Sequence, residues 1–123
     1  MKKEISVMVL DDEPIVGERL QPVIEKEGFH VEVFTDSQKA LERLEEKNFH
    51  VLITDLKMSA PSGIDVLKYL KDHERDTEAI VITGYATIER ARQAEFLNAK
   101  FVTKPFKLNQ IVKLVNKAAK KFK

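Results

Sequence analysis

Ile5-Ser6-Val7-Met8-Val9-Leu10-Asp11-Asp12 and Val51-Leu52-Ile53-Thr54-Asp55 follow one pattern: a short run of apolar and β-branched residues that ends abruptly in carboxylates. A run with few polar positions reads as a strand covered on both faces, the environment of a parallel sheet. The carboxyl ends of neighbouring strands in such a sheet share one edge, and ligands bind in the crevice beside it. Asp11, Asp12 and Asp55 therefore gather at one edge. Three carboxylates a few ångströms apart repel one another unless a cation stands among them. Two further apolar runs supply partners for that edge. Ala79-Ile80-Val81-Ile82 is closed by the hydroxyl of Thr83, and Phe101-Val102-Thr103 is followed by the ammonium of Lys104.

Working outward, short β-branched runs alternate with longer amphipathic segments along the whole chain, the signature of strand-helix units. Strands are expected near residues 5–10, 29–34, 50–54, 79–83 and 100–103, and helices near 14–27, 36–47, 63–72, 87–97 and 108–122. The last helix is the most regular, with Leu108, Ile111, Val112, Val115, Ala119 and Phe122 on one stripe. Pro14 suits a first helical position, and Gly28 and Asn98 suit left-handed helix stops. Pro22 lies inside the first helical pattern, where it removes a backbone hydrogen bond and predicts a kink between Gly17 and Pro22. No repeat or linker interrupts the pattern, so residues 1–123 are expected to form a single domain.

Composition narrows the functions. With 21 basic and 20 acidic residues the net charge is +1, so no global field favours capture of nucleic acid or membrane. The absence of cysteine excludes disulfide scaffolds, thiolate metal sites and thiol catalysis. The first apolar run stops at Asp11, too short for a secretion signal or a membrane span, and a cytoplasmic location is expected. His30, His50 and His73 have no mutual spacing that makes a metal site. Lys113, Lys117, Lys120, Lys121 and Lys123 read as cations favoured by the helix C-terminus rather than as a nucleic-acid patch.

The acidic edge suits a hard divalent cation with oxygen ligands. Mg²⁺ held by Asp12, Asp55 and Asp11 would expect a phosphate to complete its shell. An ionised Asp needs no general base to act as a nucleophile, so Asp55 could attack a phosphoryl donor and form an acyl phosphate. Lys104 would oppose charge on the phosphoryl oxygens, and Thr83 would hydrogen-bond the product.

Four motifs then stand in register: Leu10-Asp11-Asp12-Glu13-Pro14, Asp55 followed by Met58 and Gly63, Thr83-Gly84-Tyr85-Ala86, and Lys104-Pro105-Phe106. Together they resemble the receiver domain of two-component response regulators over essentially the whole chain. The resemblance implies a flavodoxin-like α/β fold: a doubly wound, five-stranded parallel sheet of strand order 2-1-3-4-5 with five helices. It implies that Asp55 is the phosphoacceptor, that Asp11, Asp12 and the backbone carbonyl of Lys57 hold Mg²⁺ with it, and that Lys104 contacts the phosphoryl group. It further implies a cis Lys104-Pro105 bond and a switch pair, Thr83 and Phe101. The function implied is a signalling phosphoacceptor rather than an enzyme acting on a substrate. Its donor would be a sensor histidine kinase or a histidine phosphotransfer protein. Glu89, Arg90, Arg92 and Glu95 carry both signs of charge beside the switch pair and suit a specific contact, so the output is expected to pass through a homodimer or output domain on the face of residues 87–122.

Some positions depart from the family pattern. Pro61, rather than residue 59, carries the proline after Met58, and Lys57 and Tyr85 stand where the family lines the path of the hydrolytic water. Two rivals share the residues. A haloacid-dehalogenase-type phosphatase would use Asp11 as nucleophile with Glu13 assisting, but it expects a cap domain and an acidic pair after its Lys, where this chain has Pro105-Phe106-Lys107. An FMN carrier would need a Gly- and hydroxyl-rich phosphate loop after the first strand, where Asp11-Asp12-Glu13 would repel the phosphate.

Overall fold

A computed structural model describes residues 4–56, 61–84 and 87–123. Five strands, β1 (Ser6–Leu10), β2 (His30–Phe34), β3 (Val51–Thr54), β4 (Glu78–Thr83) and β5 (Ala99–Thr103), form one sheet in the order β2-β1-β3-β4-β5, all neighbours parallel. The helices between them are α1 (Pro14–Lys26), α2 (Ser37–Glu46), α3 (Gly63–Asp72), α4 (Ile88–Phe96) and α5 (Leu108–Ala119). The expected fold is present with its strand order.

Alternation along the strands splits the core into two layers. Val7 and Val9 of β1, Val51 and Ile53 of β3, Ile80 and Ile82 of β4 and Val102 of β5 face α1 and α5. Their neighbours Met8, Leu10, Leu52, Ala79 and Val81 face α2, α3 and α4. Each helix answers with residues at helical spacing: Val16, Leu20 and Ile24 on α1; Ile111, Val115 and Ala119 on α5; Val66, Leu67 and Leu70 on α3. Each large side chain buried in this way contributes about 1.5–3 kcal/mol relative to exposure, so the two layers fix the strand register and with it the edge where the acidic residues lie.

The helix ends follow local chemistry. Asp36 caps α2 by accepting from the Gln38 and Lys39 amides, Thr87 caps α4 through the Arg90 amide, and Ser62 with Asp65 forms a reciprocal capping box on α3. Gly28 and Asn98 take φ of 96° and 60°, the left-handed stops expected of them. Lys107, whose ammonium has no acceptor to offer a helix amide, makes no side-chain cap bond to α5. Where boundaries differ from the sequence reading they do so by a single residue, except at the end of the last helix, which differs by three. The last α-helix ends at Ala119 and passes into a 3₁₀ turn over Lys120–Phe122, which sets the Phe122 ring edge-on to His50 at 4.9 Å. Helix α1 runs from Pro14 to Lys26 with Pro22 inside it.

Candidate phosphoacceptor site

Asp11, Asp55 and Lys104 each stand one step beyond a strand, anchored by their own amides to the last carbonyl of a neighbouring strand. Asp11 N–H donates to Phe34 O at 3.1 Å, Asp55 N–H to Leu10 O at 3.1 Å, and Lys104 N–H to Thr83 O at 2.8 Å. The sheet ladder thus extends into the site and holds the backbone of these three residues. A cis Lys104–Pro105 bond follows directly, as the resemblance implies.

The side chains converge. Lys104 Nζ lies 2.9 Å from Asp11 Oδ2, 3.0 Å from Asp55 Oδ2 and 3.0 Å from Glu13 Oε1. Asp11 and Asp55 are 2% and 5% exposed, whereas Asp12 faces solvent. Burial pushes the Asp11 carboxyl above the usual carboxylate range, outweighing its hydrogen bonds with Lys104 and the Glu13 amide. For Lys104 burial acts downward, but hydrogen bonds to Asp11, Glu13 and Asp55 overcome it and raise the ammonium well above its ordinary value. The lysine therefore stays charged through the whole range in which proteins fold.

One oxygen from each of Asp11, Asp12 and Asp55 lies within 4.8 Å of the others. This all-oxygen donor set, two carboxylates buried and one open to solvent, fits a hard divalent cation of the Mg²⁺ type better than a soft one. Lys57, whose carbonyl the resemblance adds to that set, lies outside the described residues, as do Met58 and Tyr85.

Thr83 is fully buried at the end of β4, which pairs with β3, the strand that Asp55 follows. Phe101 is half-buried on the same sheet face, opposite Val81 in register and two positions from Thr103, the partner of Thr83. Strand pairing therefore aligns the two expected switch residues on one face. Glu13 was assigned only in the phosphatase reading, yet its carboxylate is the third partner of Lys104. His30, His50 and His73 lie apart from the site, in contacts with Glu32, the Ser6 amide and Tyr69 respectively.

Comparison with known proteins places these residues in a family. The family described as "Response regulator receiver domain" matches residues 7–116. The chain is 30% identical over 112 residues to the response regulator receiver protein CpdR of Brucella abortus, covering 90% of this chain and 93% of that protein. It is 30% identical over 119 residues to response regulator RR06 of Streptococcus pneumoniae, covering 96% of this chain but 54% of RR06, so it spans about half the length of that relative. The receiver domain of the Francisella response regulator 1452 superposes with a TM-score of 0.89 at 25% identity, covering 98% of this chain and all of that one. The chain belongs to the response-regulator receiver family. It is a phosphoacceptor module of two-component signalling, and the dehalogenase-type phosphatase is not favoured. Among the described residues no helix is long and apolar enough to cross a membrane.

Proposed function

We propose that Asp55 is the residue that accepts the phosphoryl group, and that residues 1–123 act as one receiver domain in doing so. The observation carrying this assignment is position: Asp55 directly follows the central strand β3, with the carboxylates that follow β1 on one side and Thr83 of β4 on the other. Asp11 already accepts the Glu13 amide on one oxygen and faces the Lys104 ammonium with the other. In the proposed step an Asp55 oxygen attacks the phosphorus of a phosphohistidine. A P–O bond forms, the P–N bond breaks, and the imidazole leaves with the electron pair and takes a proton from solvent. Lys104 holds the Asp55 carboxylate in place beforehand and opposes the charge on the phosphoryl oxygens.

Asp11, Asp12 and Asp55, with the Lys57 carbonyl, would hold Mg²⁺. When bound, this ion supplies charge neutralisation that lets a phosphoryl group approach three carboxylates. In this reading Thr83 hydrogen-bonds a phosphoryl oxygen on Asp55 and Phe101 repacks with it, so phosphorylation biases α4 and β5 between two packings. The donor is a sensor histidine kinase or histidine phosphotransfer protein, the setting cytoplasmic, and the output a homodimer or output domain meeting residues 87–122. The module assists its own phosphorylation and dephosphorylation through these residues.

Incubation with acetyl phosphate and intact mass spectrometry tests the assignment. One phosphoryl group is expected per chain, lost on chelation of Mg²⁺ and in Asp55→Asn. Undiminished labelling of that variant would overturn it.

A further inference from the structure

Helices α3 and α4 leave a groove of about 630 Å³ between them that the phosphoacceptor chemistry does not use. Its walls are Ile64, Lys68 and Lys71 at helical spacing on α3, and Arg92 and Phe96 on α4 with Leu97 directly after its end. Helix α4 buries only Ala94, while Phe96 is 72% exposed, so an aromatic ring stands in solvent at the groove. The Lys71 ammonium lies 3.6 Å from the centre of that ring, a cation–π contact that holds the ring and the charge side by side. Three cations, Lys68, Lys71 and Arg92, face the groove against a single carboxylate, Asp72.

We propose that this groove docks an acidic amphipathic helix of a partner protein, one that sets an apolar side chain against Phe96, Leu97 and Ile64 and carboxylates against Lys68, Lys71 and Arg92. Two helices flanking an apolar channel receive a third helix by its apolar face, with anchors at i, i+3, i+4 and i+7. The rim charge selects the sign of the partner. A second copy docking by the same face would bring the three cations of one chain against those of the other, because a two-fold contact pairs a patch with itself. A nucleic acid would satisfy the cations but leave the apolar floor facing a phosphate backbone. An acidic helix satisfies both.

The probe is a fluorescein-labelled 15-residue peptide, acetylated and amidated, with Leu and Phe at i, i+3, i+4 and i+7 and Glu at the remaining positions. Fluorescence anisotropy should show saturable binding that weakens as salt rises, with amide shifts confined to residues 64–72 and 92–97. Phe96→Ser and Lys71→Glu, both at exposed positions, should each raise Kd at least tenfold, while Lys117→Glu on α5 leaves it unchanged. Absence of saturable binding overturns the proposal. So does equal weakening by Lys117→Glu, which would mean attraction to net charge alone. Self-association abolished by Phe96→Ser and excluding the peptide would assign the groove to a second copy and overturn it as well.

Discussion

Gly63 passes so close to Asp55 that a Cβ at position 63 would overlap the Asp55 backbone carbonyl. The Gly63 amide also donates to Leu56 O at 3.3 Å, so the first residue of α3 clamps the backbone immediately after the candidate phosphoacceptor. Backbone cannot swing aside as a flexible side chain can. Gly63→Ala is expected to destabilise the fold by about 1–3 kcal/mol, the usual cost of overpacking, and to slow acetyl phosphate labelling by displacing Asp55. Urea denaturation measures the first effect and intact mass against time the second; a variant equal to wild type in both would show that the segment yields freely.

Lys104 is the cation that the acidic edge requires. Its removal in Lys104→Met leaves Asp11, almost wholly buried, beside Asp55 with no fixed positive charge between them. Breaking a buried pair costs about 3–5 kcal/mol, and because Lys104 keeps some exposure a loss of about 2–3 kcal/mol is expected. The Asp11 carboxyl, already raised, should rise further. A raised carboxyl favours the folded state as it protonates, so the variant should recover stability relative to wild type as the pH falls below neutral. Mg²⁺ should raise the Tm of the variant more than that of wild type, since it supplies the missing charge. Thermal unfolding across pH, with and without Mg²⁺, measures both.

A second charge cluster, on the far edge of the sheet, governs acid stability. Glu32 on β2 accepts from Arg43 Nε at 2.8 Å and Nη2 at 3.1 Å, from Lys47 Nζ at 3.2 Å, and meets His30 Nε2 at 3.2 Å. The Arg43 hydrogen bonds lead in lowering its carboxyl from 4.5 to about 2. A depressed carboxyl gives stability that is present above its unfolded value and lost as the pH falls toward the folded one. Wild type should therefore lose about 1–3 kcal/mol from this group between pH 4.5 and about 2. Glu32→Gln should be less stable at pH 7 and flatter across that window. Urea midpoints at a series of pH values decide it, and parallel curves for the two proteins would remove Glu32 as the source.

Much of this was legible in the chain because the informative residues are local to their elements. The runs before Asp11 and Asp55 are short, rich in β-branched residues and buried on both faces, as interior strands of a parallel sheet are, and the carboxylates follow at their ends. Thr83 and Lys104 followed by the same reasoning. What sequence could not show are contacts set by distant segments. Glu13 carries no partner in the sequence reading, where it belongs to the first motif and to the phosphatase alternative, until the fold brings Lys104 to it across a separation of 91 residues. Gly63 matched a motif spacing, but its reason is the backbone of Asp55 lying against it. The stripe of α5 ran on to Phe122 in the sequence, whereas the tail tightens after Ala119 to bring Phe122 to His50. Helix α4 read as an ordinary amphipathic segment, and only its packing reveals that it buries a single residue and leaves Phe96 outside.

Phosphoryl residence on Asp55 is tested most directly by reductive trapping. Protein phosphorylated by acetyl phosphate in the presence of Mg²⁺ is treated with borohydride, which reduces an aspartyl phosphate to homoserine while leaving free carboxylates intact. Peptide mapping then locates the homoserine. We expect it at position 55 alone, in an amount that follows the phosphoryl content of the intact protein and disappears on chelation. Homoserine at position 11 or 12, or a phosphorylated protein with an unaltered Asp55, would contradict the assignment.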